Sequence, residues 1–351
     1  MSKINAKKNI RSLTLDELIE YFKGIDEPSF RAKQVYQWLW NKSALEFDDM
    51  SNLSISLREK LKEKFAINSL TIKVKQKSKD GTFKYAFELY DGNIVEGVLI
   101  PTSKRITACI STQVGCSLTC KFCATGKLKI QRNLGYDEVY DQVVMIKNEA
   151  EKEYQRPLTN IVYMGMGEPL LNYKGTVESV KKITEDTGLG MASKRITIST
   201  AGIAKMIKKL GDDNVKTKLA ISLHAANDEK RNRIMPINET NTLEILKEAL
   251  AYYHEKTGLP VTYEYILFKG FNDSLDDADE LAAVCRVIPC MVNLIEYNAI
   301  GDGEFQKTLP ENTESFIKRL NYHGFVAKVR NSRGQDIDAA CGQLANKEEK
   351  E

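Results

Sequence analysis

The chain has 351 residues, of which 42% are hydrophobic and 28% charged, and a net charge of +3. That is globular composition, enough for one large core and a small appended domain, and the mild positive charge permits an RNA partner without requiring one. No stretch approaches the ~18 uninterrupted apolar residues of a membrane span. The Lys-rich residues 1–11 lack the apolar core of a secretory signal, so a soluble cytoplasmic protein is expected.

In chain order, residues 10–65 predict helices. Leu13, Leu15, Leu18, Ile19 and Phe22 fall on one helical face. Phe30, Val35, Tyr36, Trp38, Leu39 and Trp40 make a second apolar set, and residues 53–65 a third. A helical domain over 1–65 follows. From 66 to 101 the pattern alternates, and Asp80-Gly81 and Asp91-Gly92 signal hairpins, giving two or three antiparallel strands.

From about Arg105 the pattern is strand, loop, helix, repeated. Strands are expected at 106–111, 160–164, 195–200, 218–223, 261–267, 291–297 and 325–329. Helices are expected at 137–150, 173–187, 203–210, 242–254, 274–287 and 313–323. Such alternation predicts an α/β fold with a parallel sheet and right-handed crossovers. A partial βα barrel over 102–335 is expected, with a doubly wound open sheet as the alternative. A charged tail, residues 347–351, is expected to fray.

The seven cysteines are an odd number in a chain without a secretory signal, so a disulfide framework is not expected. Cys116, Cys120 and Cys123 form a C-x3-C-x2-C run just after the first core strand. Thiolates at this density bind soft metals or iron–sulfur clusters. A closed zinc site wants four ligands, and Cys109 is the only nearby fourth. Three ligands suit a [4Fe–4S] cluster with one open iron. With Phe122 before the last cysteine, the run resembles the signature of radical S-adenosylmethionine (SAM) enzymes. That resemblance implies a cofactor chelated at the open iron through its methionine amine and carboxylate.

In βα barrels the chemistry sits at the C-terminal ends of the strands. The second core strand ends in Gly165-Met166-Gly167-Glu168-Pro169. Its glycines permit close backbone approach to a ligand, and Glu168 can accept from an ammonium group. The same residues also suit a tight turn. Ser199, Ser222-Leu223-His224 and Asn298 end further strands, as helix caps, turn polars or ligand contacts. By the resemblance, these positions hold the cofactor's ribose, adenine and carboxylate.

Longer segments narrow the family. They are Val95-Glu96-Gly97-Val98, Gln113-Val114-Gly115-Cys116, Gly165–Leu170, Ser222-Leu223-His224-Ala225, Met235-Pro236-Ile237-Asn238 and Asp336–Leu344 with Cys341-Gly342-Gln343. Together they resemble the bacterial dual-specificity adenine-C2 methyltransferases of 23S rRNA and tRNA. Gly97 stands where Thr is frequent in that family, and Glu296-Tyr297 where Pro-Trp is familiar.

The resemblance implies a two-cofactor mechanism. Cys341, in a C-terminal segment 336–351, is first methylated, and its methyl is then activated by the radical. The resulting methylene adds to adenine C2, Glu96 removes the C2 proton, and Cys109 attacks the Cys341 sulfur in a transient disulfide. A reductant such as flavodoxin and a monomeric state are also implied. Lys7, Lys8, Arg11, Arg31, Lys33, Lys127, Lys129 and Arg132 are candidate RNA contacts or solvated charges. Cys285 and Cys290 read as core. Two rivals remain at this point: the related adenine-C8 methyltransferases of antibiotic resistance, against which Pro169-Leu170 argue modestly, and a non-catalytic zinc-dependent RNA-binding protein.

Overall fold

The structure, a computed structural model, describes residues 7–301 and 303–346; the tail expected to fray lies outside them. The N-terminal region opens with strand β1 (Lys8–Asn9) and continues through helices α1 (Leu15–Lys23), α2 (Ser29–Trp40) and α3 (Ile55–Lys64) to β2 (Phe65–Ala66). Thr14 starts α1 with a reciprocal capping box: its Oγ1 accepts from the Glu17 N–H, and Glu17 accepts from the Thr14 N–H. β1 pairs in parallel with β2, closing the region on itself. Leu18, Phe22, Val35, Leu39, Leu57 and Leu61 fill its core. Phe30 departs from the expected apolar set. It is half exposed, with the Arg31 guanidinium over its ring.

Strands β3 (Thr71–Lys77), β4 (Phe83–Glu88) and β5 (Ile94–Pro101) form the antiparallel extension, turning at Gly81 and Gly92 with φ of +87° and +80°. Those angles need glycine. β6 (Ile106–Cys109) joins β5 antiparallel, so the extension and the barrel share one sheet. A short ribbon, β7 (Gln113–Val114) with β8 (Arg132–Asn133), brackets the cysteine loop. Then follow α4 (Tyr136–Tyr154), β9 (Asn160–Tyr163), α5 (Tyr173–Thr184), β10 (Ile196–Thr200), α6 (Ala204–Asp212), β11 (Lys218–Ser222), α7 (Asp228–Ile234), α8 (Leu243–Thr257), β12 (Val261–Leu267), α9 (Leu275–Cys285), β13 (Cys290–Glu296), α10 (Pro310–Tyr322) and β14 (Ala327–Arg330).

The sheet order is β14-β13-β12-β11-β10-β9-β6-β5-β4-β3. From β6 to β14 every neighbour is parallel and follows chain order. Right-handed crossovers that always step the same way put every helix on one face. The other face has no helices to cover it, so the sheet buries that face by curling. A doubly wound sheet needs a reversal of strand order, and none occurs. The fold is therefore a partial βα barrel, open between β14 and β6.

The segment after β14 crosses back over this open side. Gly334 N–H donates to Asp80, Ser78 and Lys79 hold Asp336, and Asn346 Nδ2 donates to the Ile94 carbonyl. The N-terminal helices seat on α4. The Trp40 ring stacks on Tyr136 and meets Tyr140 edge-on, and Arg11 Nη1 lies 2.6 Å from Asp141 Oδ2. Arg11 is thus fully buried, not the solvent-facing RNA contact expected from the sequence.

Candidate active site

A cavity of about 860 Å3, mouth included, opens at the C-terminal ends of the parallel strands. Cys116, Cys120 and Cys123 line it, and their loop is built to present sulfur. Leu118 N–H donates to Cys116 Sγ at 3.4 Å, and the Thr125 and Gly126 main chain bonds the Cys123 sulfur. Phe122, between the last two cysteines, packs edge-on against His224 and beside Phe268. Burial pushes all three thiols up, Cys116 to about 11. Metal coordination reverses that, because the bound form is the thiolate.

The donor set fits an iron–sulfur cluster. Among the described residues no group of Cys, His, Asp or Glu converges as a single metal ion requires. A four-iron cluster binds each thiolate to a different iron, so ligands spaced round a cavity suit it. Cys109 lies off the cavity, on β6, and is buried. It does not complete a zinc set.

Glu168 faces the cavity from the loop after β9. It is buried; Oε1 accepts from Leu170 N–H at 3.0 Å and Oε2 from Ala201 N–H at 2.8 Å. Burial raises its pKa above the usual carboxylate value, against the pull of those bonds. A cation in the cavity would relieve this, which is the environment a cofactor amine offers. The glycines before it work differently from expectation. A Cβ on Gly167, whose φ is +95°, would sit 2.5 Å from the Gln113 side chain. On Gly165 it would meet Ser111 and the Ile110 carbonyl. Both glycines line the cavity, yet it is packing of the loop against residues 110–113 that demands them.

Ser199, Ser222 and His224 line the cavity too. His224 Nδ1 accepts from Ile266 N–H at 3.1 Å, and burial pushes the imidazole down to about 3, with Arg231 adding to the effect. It is a neutral acceptor here. Leu223 is buried beneath the rim: its N–H bonds the Glu264 carbonyl and its own carbonyl accepts from Arg231 Nε.

Cys341 reaches the same cavity from the C-terminal segment. Its neighbours are tied down closely. Gly342 O accepts from Ala124 N–H at 2.7 Å, Leu344 O from Thr125 Oγ1 at 2.6 Å, and Gln343 Nε2 donates to Ala299 O. Asn298 lies off the cavity lining. Its Nδ2 donates to the Cys341 carbonyl at 3.2 Å and its Oδ1 accepts from Gln335. Glu96 is buried on β5, also off the lining. It pairs with Lys84 at 3.4 Å, and Oε2 accepts from the Ala345 and Asn346 N–H groups. A Cβ on the adjacent Gly97 would lie 2.7 Å from the Phe87 ring, which accounts for glycine there. All seven cysteines are free thiols, so the disulfide implied by resemblance is not a feature of this structure.

Three charged residues at or behind the cavity wall were missed in the sequence. Glu264 and Arg330 line it from β12 and β14, and Arg231 is buried behind the rim, bonding the Ala201 and Leu223 carbonyls. For Glu264 the signal was a charge inside the apolar run of β12; Arg231, on the polar α7, and Arg330, at the end of β14, gave none. Of the candidate RNA contacts, Arg132 forks both oxygens of Glu138 and reaches Asp91, whereas Lys127 and Lys129 are exposed beside the cysteine loop.

These features define a radical SAM enzyme, and residues 110–282 match the family model of the radical SAM superfamily. Such enzymes use a [4Fe–4S] cluster and SAM. Residues 8–67 match the model described as the ribosomal RNA large subunit methyltransferase N-terminal domain. The chain is 58% identical to "Probable dual-specificity RNA methyltransferase RlmN" of Cytophaga hutchinsonii, over 98% of this chain and 94% of that one. It is 54% identical to the protein of that name from Flavobacterium psychrophilum, over 97% and 99%. A solved radical SAM methyltransferase from Sphaerobacter thermophilus superposes with a TM-score of 0.90 at 40% identity, covering 96% of this chain and 99% of that one. The chain belongs to the RlmN family of dual-specificity RNA methyltransferases.

Proposed function

We propose that this chain methylates carbon 2 of a specific adenosine in 23S rRNA and in tRNA, with Cys341 carrying the methyl group. The observation that carries the proposal is that Cys341 opens onto the same cavity as Cys116, Cys120 and Cys123. Those three would hold the cluster, which with bound SAM supplies the methyl group and the radical chemistry that an electron-poor aromatic carbon needs.

The chain's own residues do the rest. Glu168 receives the cofactor amine; Gly167, Ser199, Ser222, Leu223 and His224 shape the remainder of its seat. Asn298 reaches the cofactor only by giving up the Cys341 carbonyl. Cys341, fixed by the bonds of Gly342 and Leu344, presents its sulfur to the cavity. Glu96 takes the C2 proton once the tail releases its Oε2. Cys109 then attacks the Cys341 sulfur of the RNA-linked intermediate. An S–S bond forms, the S–C bond breaks, and its electron pair goes to the exocyclic carbon, which takes a proton and becomes the methyl. The resulting disulfide is transient, as reducing compartments allow.

In this reading residues 1–65 handle RNA, 66–101 extend the sheet, 102–335 form the radical core and 336–351 carry the methyl. An electron donor such as flavodoxin serves a cytoplasmic monomer. Among the described residues no helix is long and apolar enough to cross a membrane.

The test is nucleoside mass spectrometry. Anaerobically reconstituted protein, shown to carry iron and sulfide, is given reductant, SAM and unmodified rRNA fragment or tRNA. 2-Methyladenosine is expected. Methyl at C8 would transfer the chain to the resistance branch, and no product on either RNA would overturn the proposal. Cys109→Ala should accumulate a protein–RNA adduct on a denaturing gel; normal turnover without adduct would remove the disulfide step.

A further inference from the structure

Two charged side chains inside the barrel have no role in the chemistry above. Glu264, in β12, and Arg330, the last residue of β14, form an ion pair of 3.5 Å. Glu264 is buried, and its Oε1 accepts from Asn293 Nδ2 at 2.9 Å. Arg330 keeps 30% of its side-chain surface and lines the cavity. An enclosed ion pair contributes little net stability once desolvation is counted. Apolar side chains would fill a barrel as well, so this pair calls for another reason.

Position supplies it. β14 is the free edge of the sheet, and β6, which carries Cys109, borders the other side of the opening. Arg330 Nη1 reaches Met164 Sδ, just past β9, at 3.5 Å, and the Met164 main chain bonds the Cys109 sulfur. Arg330 acts electrostatically on both Cys109 and Cys341. The strands flanking Cys109 pair it with Val98 and Val162, which carry no charge. The charged or titratable groups that act on Cys109 are Arg330 and the Cys341 thiol, and Glu264 acts on Arg330.

Resting on the proposed function, we infer that Arg330, braced by Glu264, is a positioning residue for Cys109: its guanidinium spans the barrel's open seam and supplies the cation against which Cys109 reacts as a thiolate. The nucleophile in disulfide formation is the thiolate. Burial, and after it the nearby Cys341 thiol, oppose it: the Cys109 thiol stands up at about 12 although Arg330 pulls in the other direction. Glu264 sets how much of that cation Cys109 receives. When RNA fills the cavity and excludes water, the unscreened guanidinium acts more strongly.

The experiment reads Cys109 directly. Cluster-loaded protein is alkylated anaerobically with iodoacetamide across pH, and the Cys109 peptide is quantified by mass spectrometry. The midpoint, not the absolute rate, is compared, so limited access cancels. Arg330→Met should raise the midpoint and slow alkylation below it about tenfold, the change one unit of acid strength makes. Arg330→Lys should restore most of it. Glu264→Gln should lower the midpoint, since the guanidinium is no longer shared. The double variant Arg330→Met/Glu264→Gln carries no buried orphan charge and should still show the raised midpoint, which keeps the test valid if Arg330→Met folds poorly. Shifts in the same direction for Arg330→Met and Glu264→Gln, or no shift in either, overturn the inference. So does a loss of SAM affinity with the Cys109 profile unchanged, which would make Arg330 a cofactor contact. Failure of the underlying reading shows separately, as absence of the Cys109→Ala adduct.

Discussion

Two arginine–carboxylate pairs in this molecule are alike in chemistry and opposite in setting. Arg11 and Asp141 stand 2.6 Å apart with side chains 0% and 1% exposed, at the seam between the N-terminal helices and α4. Arg11 Nη2 also donates to the Ala44 carbonyl, and Tyr136 and Tyr140 hydroxyls donate to the Arg11 and Trp40 carbonyls beside it. Arg330 and Glu264 are farther apart, and the arginine looks into a cavity. The first arrangement leaves no charge available to a newcomer. The second keeps a cation in reach of whatever enters. Closure of the surroundings, more than the identity of the pair, separates a joint from a working group.

Breaking each pair should therefore have unequal effects on stability. Arg11→Ala leaves the Asp141 carboxylate buried without a partner, at a cost of about 3–5 kcal/mol. Arg330→Ala opens a site that water already reaches, and should cost about 1–3 kcal/mol. Urea unfolding of the full chain gives both numbers. Replacing the seam pair by apolar residues, Arg11→Met with Asp141→Leu, should recover most of the loss. Equal losses for the two arginines would sink the distinction.

The two regions should also answer pH with opposite sign. Burial raises Asp141 to about 6, against the pull of Arg11. The folded state then binds this proton more tightly than the unfolded chain, where an aspartate titrates near ~3.9. The stability it contributes is full below that value and is lost as pH rises through about 6, on the order of 3 kcal/mol. His224, at the cavity, is depressed to about 3. Its contribution is full above the unfolded value of ~6.5 and is lost as pH falls toward about 3. Subtracting the pH profile of Asp141→Asn, and separately of His224→Asn, from that of the parent isolates each group. Asparagine suits position 224 because it tolerates the left-handed φ of +57° and offers an acceptor. Parallel slopes in the two difference profiles would contradict the assignment.

Much of this was legible in the sequence, for identifiable reasons. Period and length set every core strand and crossover helix within a few residues, because a buried parallel strand must be apolar and its helix amphipathic. The seven-residue α7 escaped: it is polar, and is anchored by buried Arg231 instead of an apolar stripe. The cysteine loop was readable because its ligands are local. Glu264 and Arg330 were not, since their meaning comes from strands facing one another across a curled sheet. Glu96 and Asn298 could be named by motif, but their bonds to the C-terminal segment join positions more than forty and more than two hundred residues apart. The Gly-x-Gly of residues 165–167 resembles a ligand-approach motif, and its tight partners are the side chains and main chain of residues 110–113.

Asn298 gives the smallest and most discriminating test of how open and closed regions divide their work. Its amide links Gln335 to the Cys341 carbonyl, so in this structure it belongs to the segment that closes the barrel's open side. Asn298→Ala removes two hydrogen bonds of that segment, a loss of about 0.5–1.5 kcal/mol each. Because the loss falls on one segment, it should show first as freeing of the local strap. Amide exchange in residues 334–346 is expected to quicken several-fold while SAM affinity, measured by calorimetry on cluster-loaded protein, stays within a factor of two or so. If instead SAM binding weakens about tenfold or more with exchange unchanged, Asn298 has exchanged its Cys341 bond for one to the cofactor. The strap would then be held by its other bonds, to Asp80, Ser78, Lys79, Glu96, Ala124, Thr125 and Ala299. Either result says which bonds must break before Cys341 can leave the cavity and Glu96 can become free.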